Sequence, residues 1–230
     1  MTKLYDLGYR SLKELVYNYL RTQMQKGELK TGDPINMDQT AKKLGISKTP
    51  LREALIKLET EGFVKIVPWQ GVFVNTLTLK DFEDCYQIIS LLESAALLYA
   101  SPRIKKEHIQ KMQRLNNEMR EAIDMGDFDA YYQKNIEFHS TYIGLSQNQF
   151  LVDMIDILKK RLYEFSRPME FIKEWEDISM AEHQHLIDLL DEGEFEKARL
   201  YLTNVIWSFD QQKNFIIKYY RFDKEERPAS

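Results

Sequence analysis

The polar and apolar positions open on a helical period. Leu12, Leu15, Val16, Tyr19 and Leu20 recur at three- and four-residue spacing, which predicts an amphipathic helix over 10–26 that stops at Gly27. Thr31-Gly32-Asp33-Pro34 reads as a turn. A short helix over 37–44 ends at Gly45, and another runs from Ser47 or Thr49 to Glu61, ending at Gly62. Ser47 and Thr49 both suit a cap, and Pro50 is tolerated in a first turn because that amide has no intrahelical partner. The period then becomes two. Phe63, Lys65 and Val67 alternate with Val64, Ile66 and Pro68, and Val72-Phe73-Val74 follows the turn-like Pro68-Trp69-Gln70-Gly71. That predicts a two-stranded hairpin, the only β structure expected.

From Leu79 onward the pattern is helical. Phe82, Tyr86, Ile89, Leu92, Ala96 and Tyr99 form one stripe, broken at Ser101-Pro102. Further helices are predicted over 106–125, 128–144, 149–166, 174–192 and 194–219, with Gly126, Pro168 and Glu192-Gly193 as punctuation. The expected fold is mainly α: a winged helix-turn-helix with a two-stranded wing over 1–75, a linker at 76–78, and an antiparallel six-helix bundle over 79–220. The remaining 221–230 reads as a frayed tail.

Charge sharpens this division. The net charge of −4 averages two unlike parts: residues 1–75 carry 12 Lys/Arg against 8 Asp/Glu, and the other 155 carry 20 against 28. A basic N-terminal third on an acidic remainder suggests an anion-binding module joined to something else. No apolar run approaches the roughly 20 residues of a membrane span, so no membrane partner is expected. A single cysteine, Cys85, excludes an internal disulfide and fits a reducing cytosol.

The chemistry of the first domain sits on its third helix. Leu51, Leu55 and Leu58 fall on one side, while Lys48, Thr49 and Arg52 share another face at the start. Duplex recognition places base-reading residues at a helix start, where free amides also favour phosphate. The Arg52 fork can grip guanine O6 and N7, Lys48 can serve guanine or phosphate, and Thr49 suits phosphate. A hairpin tip of Gln70 and Gly71 is small enough for an adjacent minor groove. Basic residues on a helix are often only its solvated face, but here helix pair, wing and local charge agree.

The run Gly45-Ile46-Ser47-Lys48-Thr49-Pro50-Leu51-Arg52-Glu53-Ala54-Leu55, continuing through Leu58-Glu59-Thr60-Glu61-Gly62-Phe63, resembles the GntR-family winged-helix signature. The resemblance implies a bacterial transcription regulator that binds operator DNA as a dimer, touching it through Ser47, Lys48, Thr49, Arg52 and the wing at Gln70-Gly71. Many relatives have an arginine aligned near Asp38. The acid here would repel phosphate and predicts an altered operator preference.

The remainder is similar to the FCD subfamily, named for the C-terminal domain of its fatty-acid-responsive member. The matching anchors are Leu92-Glu93, Phe138-His139, Glu182-His183, Gly193-Glu194 and Ala198. This implies dimerisation and a helical cavity for a small effector, often a carboxylic acid beside a metal. In the family pattern the metal ligands are aspartate and three histidines. Here those positions are Asn135, His139, His183 and Val205. Two imidazoles and a weak amide oxygen make a poor zinc site, so the metal-free cavity is favoured over one holding a divalent metal such as zinc. His185 is two residues from His183 and faces nearly the other way. Ile89 replaces an arginine that can hold an acid effector in many relatives. Arg161 is the remaining candidate for an anionic group, although a surface or salt-bridged role weighs more. Met154, Tyr163, Phe165 and Trp207 could enlarge an apolar lining, but such residues at helical spacing are more often core.

Two other functions compete. A helical metalloenzyme would use His139 and His183 with Asn135 or Glu182, yet no paired Glu-x-x-His motif, Ser-His-Asp spacing or phosphate loop is present. A helical adaptor would use its basic face to bind a protein. Glu93, Glu182, His108 and Cys85 need no role beyond packing, capping or surface pairing.

Overall fold

Ser11 starts α1 (Leu12–Gln25) by accepting the Glu14 amide on its hydroxyl, and the helix buries Leu15, Val16, Tyr17, Leu20 and Met24. Asn36 caps α2 (Met37–Leu44) in the same way, and Gly45 ends it in the left-handed conformation at φ 66°. The third helix, α3 (Lys48–Thr60), buries Leu51, Ala54, Leu55 and Leu58 almost completely. Strands β1 (Val64–Val67) and β2 (Gly71–Val74) pair antiparallel, from Val64↔Val74 to Val67↔Gly71. The computed structural model describes residues 11–163, 172–220 and 222.

Polar contacts fix α1 against α3. The Tyr17 hydroxyl donates to the buried Glu61 carboxylate, and the Lys57 ammonium lies 4.1 Å from the Tyr17 ring centre. One feature exceeds the predicted β structure. The turn at 31–34 pairs with β2, through Ile35 N donating to Val72 O and an isolated bridge between Pro34 and Phe73. Proline lacks the amide needed to extend that ladder.

Seven further helices follow: α4 (Leu79–Ala100), α5 (Lys106–Met125), α6 (Phe128–Ile143), α7 (Gln149–Tyr163), α8 (Lys173–Asp191), α9 (Phe195–Tyr201) and α10 (Phe209–Tyr220), which make up the helical unit except for the end of α7 from Lys159 onward. Thr78 and Asp81 form a capping box at the start of α4. Two expectations change here. The helix predicted over 194–219 is two helices joined by a π turn, Leu202–Ile206. No proline or glycine marks the break, so the sequence period runs through it. The stripe on α4 also differs: Leu92 is only half-buried and Tyr99 is exposed, while Glu93, Leu97 and Ala100 are buried. A helix covered on more than one side buries residues beyond a single stripe.

The chain divides into two units. Among the described residues, 11–77 and 159–163 form one, and 78–158 with 172–220 and 222 form the other. The linker expected at 76–78 is absorbed from both sides, because Leu77 is buried and Thr78 caps α4. The expected end of the fourth bundle helix at 166, Phe165, and all of the 221–230 tail but Phe222 lie outside the described residues.

Leu55 is 1% exposed in the core that aims α3. Replacing it with alanine is expected to cost about 2–5 kcal/mol in chemical denaturation of the N-terminal unit. A loss below about 1 kcal/mol would place Leu55 outside that core.

Candidate nucleic-acid interface and buried polar site

Burial of the leucine side of α3 decides what its other side presents. Ser47, Lys48, Thr49 and Arg52 are all exposed at the start of the helix. Ser47 occupies the N-cap position with an extended backbone and makes no side-chain cap bond. The amide end and the basic side chains therefore share one open face. Asp38, on the first turn of α2, is not isolated: its carboxylate lies 2.5 Å from the Lys48 ammonium. Such an exposed pair is worth roughly 0–1 kcal/mol, so a nucleic-acid acceptor can displace it.

The wing is tied to the same helix. Glu59 Oε1 accepts the Ile66 amide at 2.8 Å, and Asn75 Nδ2 donates to Gly62 O at 3.0 Å. Gln70 and Gly71 are exposed at the hairpin tip, as the sequence suggested. The tip is not small, however. Trp69 is 105% exposed and holds a left-handed backbone at φ 65°. Gln70 N donates to Val67 O across this turn, with Pro68 at its first central position and Trp69 at its second. That second position normally goes to glycine or asparagine, and a bulky residue there costs on the order of 1–3 kcal/mol. Sequence reasoning passed over Trp69, although the order Pro-Trp-Gln-Gly within a hairpin turn was a usable signal.

In the helical unit, α4, α6 and α8 bring a polar group into the core. Glu93 is fully buried, and its Oε2 accepts from the Tyr142 hydroxyl while lying 3.0 Å from His139 Nδ1. A carboxylate at that nitrogen favours the tautomer with the proton on Nδ1, leaving the lone pair on Nε2. His139 Nδ1 also lies 2.9 Å from the Tyr142 oxygen. The rings of His139 and His183 have centres 5.3 Å apart, and Phe138 packs 4.3 Å from His183. Two predicted residues thus meet. Asn135, one turn from His139 on α6, is buried with its Oδ1 lacking a hydrogen-bond partner. Ile89 is fully buried one turn before Glu93.

Other expectations fall differently. Val205 lies half-buried in the π turn, and Trp207, the residue after that turn, places its ring 5.9 Å from His139. The wider π turn rotates the residues after it relative to an α-helical count. Arg161 is not part of this cluster. It belongs to the N-terminal unit, beside Gly62, where a Cβ would come within 3.0 Å of its Nε. Glycine at φ 81° makes room for the guanidinium. Met154 is exposed, so it lines no core, whereas Trp207 is buried. Glu93, passed over in the sequence, is the centre of the site; a glutamate within an apolar stripe was the available clue.

The residues do not fit a metal. Among the described residues two imidazoles converge, one with Nδ1 held by Glu93, while α6 itself adds only the Asn135 amide and Trp207 an indole. Among the described residues, no group of three or more His, Cys, Asp and Glu side chains could hold a metal ion.

Comparison with known proteins follows the same division. The model described as "Bacterial regulatory proteins, gntR family" matches residues 12–74, and the FCD domain model matches 84–206, more than half the chain. The chain belongs to the GntR family. It is 32% identical over 185 residues to the Nta operon transcriptional regulator of Aminobacter aminovorans, covering 78% of this chain and 84% of that one. It is 24% identical over 194 residues to the probable D-xylose utilization operon transcriptional repressor of Paenarthrobacter nicotinovorans, covering 84% and 85%. The structure of E. coli McbR/YncC shares the fold, with TM-score 0.68 and 24% identity over 93% of this chain and all of that one. This GntR-family chain is thus a transcription regulator rather than an enzyme. Among its described residues, no helix is long and apolar enough to cross a membrane.

Two carboxyls in the helical unit carry raised pKa values. Burial pushes Glu176 and Glu182 each up to about 7, partly opposed by hydrogen bonds from Tyr131 and Gln212 respectively, and Asp177 adds to the rise at Glu176. A raised carboxyl pKa means that the folded state holds a proton which the unfolded state has released. Stability from these groups is therefore complete below about pH 4.5, the ordinary value, and is lost as pH rises to about 7. Thermal melts should show a falling transition temperature over that window, and Glu176→Gln should flatten it. An unchanged slope in that variant would refute the assignment.

Proposed function

We propose that this GntR-family regulator is a ligand-responsive repressor in the cytosol, binding a palindromic operator as a homodimer. The observation that carries the DNA reading is the exposed set of Lys48, Thr49 and Arg52 at the start of α3, flanked by the wing. Arg52 grips guanine, Lys48 exchanges Asp38 for a base or phosphate acceptor, and the α3 amides meet phosphate. The FCD match supports a small-molecule effector, and the description of the Paenarthrobacter relative as a probable repressor supports repression. An exposed apolar face on α4, formed by Ile88, Leu91, Leu98 and Tyr99, supports pairing with a second copy.

The effector site of this proposal is the cluster around Glu93, His139, His183 and Asn135, used without metal. With Ile89 in place of a cation and a buried carboxylate at its centre, the cluster disfavours a dicarboxylate. The unfilled Asn135 Oδ1 favours a ligand bearing hydrogen-bond donors. The ligand can regulate only by binding one arrangement of the paired DNA-binding units more tightly than another. The metalloenzyme and adaptor readings have no observation of their own in support.

Arg52→Ala is expected to cost about 1–3 kcal/mol of operator affinity and to relax discrimination at one base position. Equal binding by parent and variant at matched salt would overturn the recognition face. Elemental analysis of the purified protein should find less than one transition metal per chain, and a chelator should leave its melting temperature unchanged. A stoichiometric metal whose removal lowers that temperature would overturn the metal-free site.

A further inference from the structure

At Trp69, exposure, backbone and chemistry disagree with a purely structural role. A tryptophan buries more apolar surface than almost any other residue, yet this one is fully in solvent. It also sits at φ 65° in a turn position that glycine fills without strain. Retention of a strained, exposed aromatic points to a partner that covers it. The hairpin below is rigid: β1 and β2 pair across four positions, and Glu59 ties β1 to α3. The tip therefore holds a set position relative to Lys48 and Arg52. Lys65, exposed on β1, adds a cation on the flank of the wing, suited to a phosphate strand beside the groove.

We propose that Trp69 is an apolar wedge that enters the minor groove beside the half-site read by α3 and opens one base step. The inference rests on the DNA-binding reading above and adds to it a residue, a distortion of the duplex and a base preference. An indole can partly unstack a step and lie against its sugar and base edges, as apolar wedges in architectural proteins do. Its Nε1–H is a donor only, so it matches the adenine N3 and thymine O2 acceptors that line an A·T minor groove. A TA step meets both demands, because it presents those acceptors and is easily kinked. The wing thus selects by deformability where α3 selects by hydrogen bonds.

The test uses the full-length protein and an inverted-repeat duplex selected by it from random-sequence DNA. Trp69→Gly is expected to melt no lower than the parent, since glycine relieves the turn. It should bind the selected duplex on the order of tenfold or more weakly and bend it less in a circular-permutation gel assay. Trp69→Phe should retain most of the bend. Replacing the TA step under the wing by GC should weaken the parent and leave Trp69→Gly indifferent. Binding and bending by Trp69→Gly equal to the parent's would overturn the wedge. Arg52→Ala separates the two levels: loss of binding there with none in Trp69→Gly sinks the wedge alone. Failure of the parent to select any duplex sinks the DNA reading and the wedge together.

Discussion

Burial of one side of α3 is the constraint on which the exposed basic face depends. Leu51, Ala54, Leu55 and Leu58 are each at most 1% exposed. A buried leucine contributes about 1.5–3 kcal/mol, whereas the exposed Asp38–Lys48 pair contributes about 0–1 kcal/mol. Packing therefore aims the helix, and the charges take the direction that packing leaves them. The basic residues need no partner in the protein to hold them outward. They face solvent because the leucines do not.

The helical unit solves a different problem. A fully buried carboxylate is expensive unless donors surround it, and Glu93 has the Tyr142 hydroxyl and His139 Nδ1. The result is a polar centre set among Phe138, Tyr142, Ile89 and Trp207, which are all nearly inaccessible to solvent. Removing one donor would leave a buried oxygen without its partner. That cost ties α4 to α6 and makes their relative placement sensitive to whatever else bonds in the cluster.

The wing combines both principles. Main-chain pairing and the Glu59 contact make a stiff hairpin, and stiffness allows a strained residue to persist at its tip. A flexible loop would relax Trp69 out of its left-handed conformation. Strain at this position is affordable because the strands beneath it are held from α3 on one side and from the Pro34–Phe73 bridge on the other.

The order of elements was legible because local period and punctuation suffice for it: leucines at helical spacing, Gly45 and Gly62 at helix ends, alternation from Phe63 to Pro68. The basic face of α3 followed from the same period, since the positions opposite buried leucines must face outward. His139 and His183 could be named as candidates, and their separate helices bring their rings together. Other features required the third dimension. The π turn at Leu202–Ile206 leaves no mark in composition, and Trp207 just after it lies beside His139 where the family pattern pointed to Val205. Arg161 pairs with the N-terminal unit because Gly62, a hundred residues earlier, leaves space for it. Glu93 became the centre of the polar site only once α6 placed Tyr142 and His139 against it. Period and propensity act over a few residues and so determine elements and their faces; burial and hydrogen-bond partners depend on residues distant in the chain, and only the tertiary structure decides those.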